Sequence, residues 1–270
     1  MRVLLTNDDG IEADGLQALR RALRDVPDIE LGVIAPDGNR SAMARSITTR
    51  RPLWVEEVRF EDGTVGYASD GTPVDCVRLA NLGLIDGWLP DLVVSGINHG
   101  ANLGDDITYS GTVAAALEGV VLGLPAVAVS QQSRALELDF RATSAFDFTV
   151  AARFAARLVS ELESVALPLG TLLNVNVPGT DPQGVTVARL GKRVYRDELA
   201  LLEEGAPGRR LYRVYGEETE SSDERGTDTA AITAGRIAVT PLHFDLTSHA
   251  VLEALAAHDL ERLLEPATTR

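Results

Sequence analysis

Short unbroken apolar runs alternate along the first two thirds of the chain with stretches whose apolar residues recur every three or four positions. Val3 to Thr6 reads as a strand buried on both faces, and Leu16, Leu19 and Leu23 as one face of a helix. Leu31 to Ala35 is a second strand, closed by Pro36. Strand, acidic turn (Asn7-Asp8-Asp9-Gly10), helix, strand is the opening of a parallel α/β sheet. Asp91 to Ser95 and Ala126 to Ser130 continue the series, with helices predicted over residues 112–122 and 144–163. Between them, residues 53–69 form two alternating runs around Glu61-Asp62-Gly63-Thr64, a hairpin signal. Thr72-Pro73 supplies a cap and a first-turn proline for a helix reaching about Leu82. A long loop is expected from Gly96 to Gly111.

Beyond residue 170 the pattern changes. LLNVNVPG and GVTVARLG read as short strands, and residues 192–226 are charged and irregular, with RRLYRVYGEET alternating like an exposed hairpin. GRIAVTPL is a last strand and Ser248 to Glu265 a last helix. The division implied is an α/β core over 1–190 and an extension over 191–270 for subunit contacts.

Composition narrows the function. The 270 residues carry a net charge of −15, a field that repels nucleic acid and anionic membranes, so neither is an expected partner. Lys192 is the only lysine and Cys76 the only cysteine, which removes a Walker-type lysine, an intrachain disulfide and a thiolate zinc site. Cys76 falls in a helical pattern and reads as an inert buried thiol. The apolar stretch at the N-terminus is too short for a signal peptide and no run approaches a membrane span, so a cytoplasmic protein is expected.

Asp8 and Asp9 directly follow the first strand, the place where ligands bind in open α/β sheets. Adjacent carboxylates are tolerated where a cation lies between them, although an Asx-turn with Asp9 as a helix cap would look the same. Further oxygen donors stand at other strand ends, in Pro36-Asp37-Gly38-Asn39-Arg40-Ser41 and in Gly96-Ile97-Asn98-His99-Gly100-Ala101-Asn102. Such donors suit Mg2+, Mn2+ or Ca2+ rather than zinc. The four histidines show no ligand spacing, and His99 reads as a hydrogen-bonding loop residue. Tyr109-Ser110-Gly111-Thr112 opens an Ala-rich helix, so its free N–H groups and hydroxyls can cradle a phosphate; a simple Ser110 cap is the plainer alternative.

TNDDGIEADGLQAL, APDGNRSAMARSIT, SDGTPVDCVRLA, SGINHGANLGDDITYSGTVAAALEG and AVTPLHFDLT, in this order from Met1 to about Thr247, resemble the survival protein E (SurE) family of metal-dependent nucleotidases. The resemblance implies a Rossmann-like, mostly parallel sheet flanked by helices. It also implies hydrolysis of nucleoside 5′- and 3′-monophosphates, with short polyphosphates as further substrates, and a homodimer or homotetramer that exchanges C-terminal elements. The family's metal ligands carry over to Asp8, Asp9, Ser41 and Asn98, for one divalent cation, Mg2+ or Mn2+, per subunit. Its phosphate contacts fall on Asn102 and Ser110, with Gly111 and Thr112 in the same turn. Where the family usually has glycine after the NRS serine, this chain has Ala42, which stiffens the loop without removing a ligand.

The chemistry implied is metal-assisted phosphoryl transfer, with Asp8 or Asp9 as base, or Asp8 as nucleophile. A receiver-type signalling domain also opens strand, acidic pair, helix, but needs an aspartate where Ser95-Gly96 stands and a lysine earlier than Lys192. A haloacid-dehalogenase-type phosphatase needs Asp-x-Asp, and here the acids are adjacent.

Overall fold

The computed structural model describes residues 1–137, 145–165, 167–195, 199–214, 219–221 and 224–264. In chain order, β1 (Arg2–Thr6), α1 (Asp14–Arg24), β2 (Glu30–Pro36), the hairpin β3 (Val55–Arg59) and β4 (Val65–Ser69), α2 (Pro73–Asn81), β5 (Leu92–His99), α3 (Gly111–Val121), β6 (Ala126–Gln131), α4 (Thr149–Val165) and β7 (Thr171–Val177) build the core. There follow β8 (Val185–Val187), β9 (Arg193–Tyr195), β10 (Ala200–Glu204), β11 (Arg210–Arg213), β12 (Thr219–Ser221), α5 (Asp228–Thr233), β13 (Ile237–His243) and α6 (His249–Ala256).

Nine strands form one sheet in the order β3-β4-β2-β1-β5-β6-β7-β13-β8. Pairing is parallel except at β3–β4 and β7–β13. Alternation along the central strands sends Val3 and Leu5 to one face, under α1 and α4 with Leu16, Leu19, Leu23, Ala155 and Val159. Leu4 and Ile34 go to the other, under α2 and α3 with Cys76, Val77, Val113 and Ala116. Both faces being covered is why these strands read as unbroken apolar runs. Thr72 caps α2 in the expected way, and its reciprocal partner is Asp75.

Several boundaries differ from expectation. β5 runs on through Asn98 and His99, which pair with Ser130 and Gln131 past an irregularity after Ser95, so the loop begins at Gly100. α4 starts at Thr149, where the Asp147 carboxylate accepts the Thr149 N–H at 3.1 Å; Ser144 lies outside the described residues. The last helix stops at Ala256, where His258 Nδ1 meets the Ala254 carbonyl, and a separate 3-10 turn spans Glu261–Leu264; Glu265 is outside the described residues. β13 belongs to the core sheet, antiparallel to β7, so a boundary at 190 does not part the last strand from the core. Of the hairpin expected within RRLYRVYGEET, the first half is strand β11, but its antiparallel partner is the preceding β10 and the two stand apart from the main sheet; residues 215–218 lie outside the described residues. Among the described residues no helix is long and apolar enough to cross a membrane.

Candidate active site

β1 is where the strand order turns, with β2 on one side and β5 on the other, and the loops beyond these carboxyl ends converge. The turn after β1 is closed by Asn7, whose amide donates to the Gly10 carbonyl at 2.8 Å and accepts the Gly10 N–H at 3.2 Å. Asp8 and Asp9 are thus freed from holding the turn. The cap position of α1 is Ala13, so Asp9 is not a helix cap.

Asp8 is almost wholly buried. It accepts a hydrogen bond from the Thr112 hydroxyl, and its carbonyl accepts the Arg40 N–H at 2.6 Å. The start of α3 rests directly against it: a Cβ on Gly111 would lie 2.7 Å from the Asp8 carboxylate, so only glycine permits this approach. Asp9, half-buried, accepts the His99 N–H at 3.1 Å. Burial pushes the Asp8 carboxyl up to about 6, helped by the charge of Asp9 and opposed by Thr112. Burial likewise raises Asp9 to about 6 against the pull of the His99 N–H. Two ionised carboxylates side by side in a dry turn are costly without a cation.

One cleft is lined by Asp8, Ser41, Asn98, Asn102 and Ser110 from the expected set, together with Ala42, Asp106 and Tyr109. Ser41 arrives on a loop fixed by Arg40 to Asp8, by Asn39 Oδ1 to the Ser41 N–H, and by the Ala44 N–H to the Tyr109 carbonyl. The same loop holds Ala42 at φ 59° and Ala44 at φ 50°, conformations that favour glycine. The alanine at 42 therefore sits where the backbone wants no side chain. Asn98 commits Nδ2 to the Gly100 carbonyl at 2.8 Å, which leaves Oδ1 as its remaining polar atom. It is aimed by the bend at Gly96 (φ 134°), where a Cβ would come within 2.3 Å of the Val129 carbonyl.

Ser110 caps α3, its Oγ accepting the Val113 N–H at 3.1 Å, and also faces the cleft. The cap reading holds, and it does not compete with the phosphate reading, since an accepting hydroxyl keeps its proton to donate. Thr112 differs from expectation: its hydroxyl is turned onto Asp8, and it orients the carboxylate from behind instead of lining the cleft. Gly111 likewise stands against Asp8. His99 serves hydrogen bonds as expected, accepting the Gly15 N–H at Nε2 and stacking on Phe146 and Phe148. Burial lowers its pKa, against the opposing charges of Asp14 and Asp8. Cys76 is buried away from the cleft, and burial drives its thiol upward, out of nucleophilic range.

Two features escaped sequence reasoning. Asp106, buried at the cleft wall, sits in a GDDIT turn with nothing to single it out from Asp105. Asn174 and Asn176 on β7 both donate to the Asn102 carbonyl, at 3.0 and 2.9 Å, and Asn176 also accepts the Asn102 N–H. Their signal was present: two polar residues two apart in an otherwise apolar strand lie on one face and need buried partners.

Among the described residues no three His, Cys, Asp or Glu side chains form a metal cage. The cleft instead brings one of the two candidate carboxylates, Asp8, beside two neutral oxygens, Ser41 and Asn98, donors suited to a hard divalent cation, while Asp9 does not line it.

The model of the family described as Survival protein SurE matches residues 3–197. The 5′-nucleotidase SurE of Rubrobacter xylanophilus is 51% identical over 98% of this chain and 99% of its own. That of Chloroflexus aggregans is 48% identical over 97% of this chain and 100% of its own. The crystal structure of the SurE protein from Aquifex aeolicus superposes with a TM-score of 0.78 at 34% identity, covering 98% of this chain and all of that one. A fold with adjacent carboxylates at the turn of a mostly parallel sheet, matched along nearly the whole chain by such relatives, places this protein in the SurE family.

Proposed function

We propose that this chain is a divalent-cation-dependent 5′-nucleotidase that hydrolyses nucleoside 5′-monophosphates to nucleoside and phosphate, with 3′-monophosphates and short polyphosphates as further substrates. The nucleotidase class rests on full-length relatives bearing that name. The observation that carries the mechanism is the convergence of buried Asp8 with Ser41, Asn98, Asn102 and Ser110, the cap of α3, at one cleft, with Asp9 beside Asp8 in the same turn. Asp8, Asp9, Ser41 and Asn98 would hold the cation, Mg2+ or Mn2+ with Ca2+ also fitting an all-oxygen set. When bound, it supplies positive charge against the phosphoryl oxygens. The chain's own part is to bind and orient. Ser110, at the start of α3, holds the phosphate, Asn102 lines the same wall, and Thr112 fixes the direction of Asp8. Asp8 or Asp9 handles the proton of the attacking water. A homodimer or homotetramer completes the proposal, built on the exposed hairpin and tail.

Phosphate release from a panel of phosphomonoesters, with and without chelator, tests this reading. Chelation should abolish release from nucleoside monophosphates, and magnesium or manganese should restore it. Full activity in a metal-free sample would overturn the metal dependence.

A further inference from the structure

Behind the phosphate side of the cleft lies a buried carboxylate that the chemistry above does not use. Asp228, fully buried at the start of α5, spends both oxygens on backbone N–H groups from separate parts of the chain. Oδ2 accepts the Gly104 N–H at 2.9 Å. Oδ1 accepts those of Gly191 at 2.7 Å and Thr229 at 2.8 Å. Gly104 opens the turn that carries Asp106, Tyr109 and Ser110 to the cleft. Gly191 immediately precedes the segment 192–226, whose far end is held at the same point. The Asp228 N–H donates to the Arg189 carbonyl at 2.9 Å, and the Arg189 N–H to that of Gly226 at 3.0 Å. α5 reinforces the link by packing. Its Ala231 and Ile232 form a small core with Ala101 and Leu103, the neighbours of Asn102.

We propose that Asp228 is a positioning residue: it holds the phosphate-side loop 101–110 in register and ties that loop to the root of the C-terminal arm. The proposal rests on the reading that this cleft binds phosphate. The physical reason is the count of acceptors. A carboxylate can serve N–H donors on both its oxygens, whereas an amide of the same shape serves them on one. In Asp228→Asn the remaining oxygen satisfies Gly191 and Thr229, and the NH2 is set against the Gly104 N–H. Donor then faces donor in a dry site, and the loop must shift. The proposed cation donors Asp8, Asp9, Ser41 and Asn98 stand on other segments, and the Ser41 loop meets loop 101–110 through the Ala44 N–H at the Tyr109 carbonyl, so they should feel it less than the phosphate side does.

The test measures the Ki of inorganic phosphate and the KM for a nucleoside 5′-monophosphate, beside the Kd for Mg2+. Asp228→Asn should raise Ki and KM on the order of tenfold and change the Mg2+ affinity far less, the signature of a displaced binding group. Thr227→Ala, which removes the cap of the same helix, should lower the melting temperature and leave Ki unchanged. A folded Asp228→Asn with wild-type Ki and KM overturns the proposal. Should that variant fail to fold, Ile232→Val thins the packing under Ala101 and Leu103 by one methyl group. A raised Ki there supports the coupling and an unchanged Ki overturns it. A wild-type enzyme that neither hydrolyses nucleotide nor is inhibited by phosphate overturns the functional reading itself, and this proposal with it.

Discussion

In the proposed chemistry Asp9 serves the cation and Ser110 the phosphate, and their substitutions should separate cleanly. Asp9→Ala removes a proposed cation donor and half of the paired charge, so metal affinity and nearly all activity should be lost together. Ser110→Ala should keep metal affinity and slow turnover on the order of 10²-fold, the scale for one lost donor to a developing oxyanion. Because Ser110 also caps α3, its melting temperature should fall as well, by the equivalent of about 1 kcal/mol. Wild-type turnover in Ser110→Ala would leave it a cap alone. The acid pair also makes a pH prediction. Its carboxyls lie at about 6 in the fold against 3.8 when unperturbed, so the metal-free fold binds protons more tightly than the unfolded chain. That contribution to stability is complete below the unfolded value and is lost as pH rises through about 6. Metal-free protein should therefore lose melting temperature from this pair between pH about 4 and about 7, and a divalent cation should restore it at the upper end. Metal affinity should fall as pH drops below about 6, since protons and cation compete for the same oxygens. A Kd for Mg2+ that is flat across this range would contradict the assignment.

At the scale of elements, what was legible in sequence follows from how local the cause is. β1, β2, the β3–β4 hairpin and the capped start of α2 each announce themselves within a few residues, by an apolar run, an Asp-Gly turn or a Thr-Pro cap. The end of β5 did not, because Asn98 and His99 are strand residues only by virtue of Ser130 and Gln131 on the neighbouring strand. α5 was missed because its six residues are too few to show a helical period, although Thr227-Asp228 is a cap signal. The placement of β13 beside β7 is a long-range pairing that no local pattern encodes. The candidate site divides in the same way. Its donors sit at strand ends and in short motifs, while Thr112's turn onto Asp8 is a contact between residues 104 positions apart. The Ser41 loop offers a test at this scale. Ala42 is held in the left-handed region, which costs an alanine about 1–2 kcal/mol. Ala42→Gly removes that cost and adds about 0.4–1 kcal/mol of unfolded-chain entropy, so stability should hold or rise slightly. Ala42→Val should be destabilising, because a β-branched side chain fits that conformation worse still. Urea unfolding of the two variants checks the order.

For the whole molecule the dominant feature is the apolar surface exposed by the C-terminal elements. The hairpin β10–β11 stands apart from the main sheet and exposes Leu201, Leu202, Leu211 and Tyr212, with Val214 just beyond it; Tyr215 lies outside the described residues. An isolated two-stranded hairpin is marginal in water. α6 is no better placed: its eight residues include no buried one, and Val251, Leu252 and Leu255 are about half exposed or more. A helix that short does not persist without packing. Both elements therefore call for an apolar partner, and a second copy of this chain offers the same unsatisfied surfaces in return, as a symmetric interface requires. The opposing force is charge. Each subunit brings −15, so association has to bury enough apolar area, at least about 1,000 Å² in all, to outweigh repulsion that salt screens. Two consequences distinguish this from a flexible surface arm. Light scattering at micromolar concentration should give a mass of at least two chains, and raising the salt should hold or increase that mass instead of dissolving it. Leu252→Glu with Leu255→Glu should reduce the mass while leaving the core sheet folded by circular dichroism, because neither side chain touches the core. A monomeric mass for the unaltered chain at high salt would show that the hairpin and tail need no second subunit.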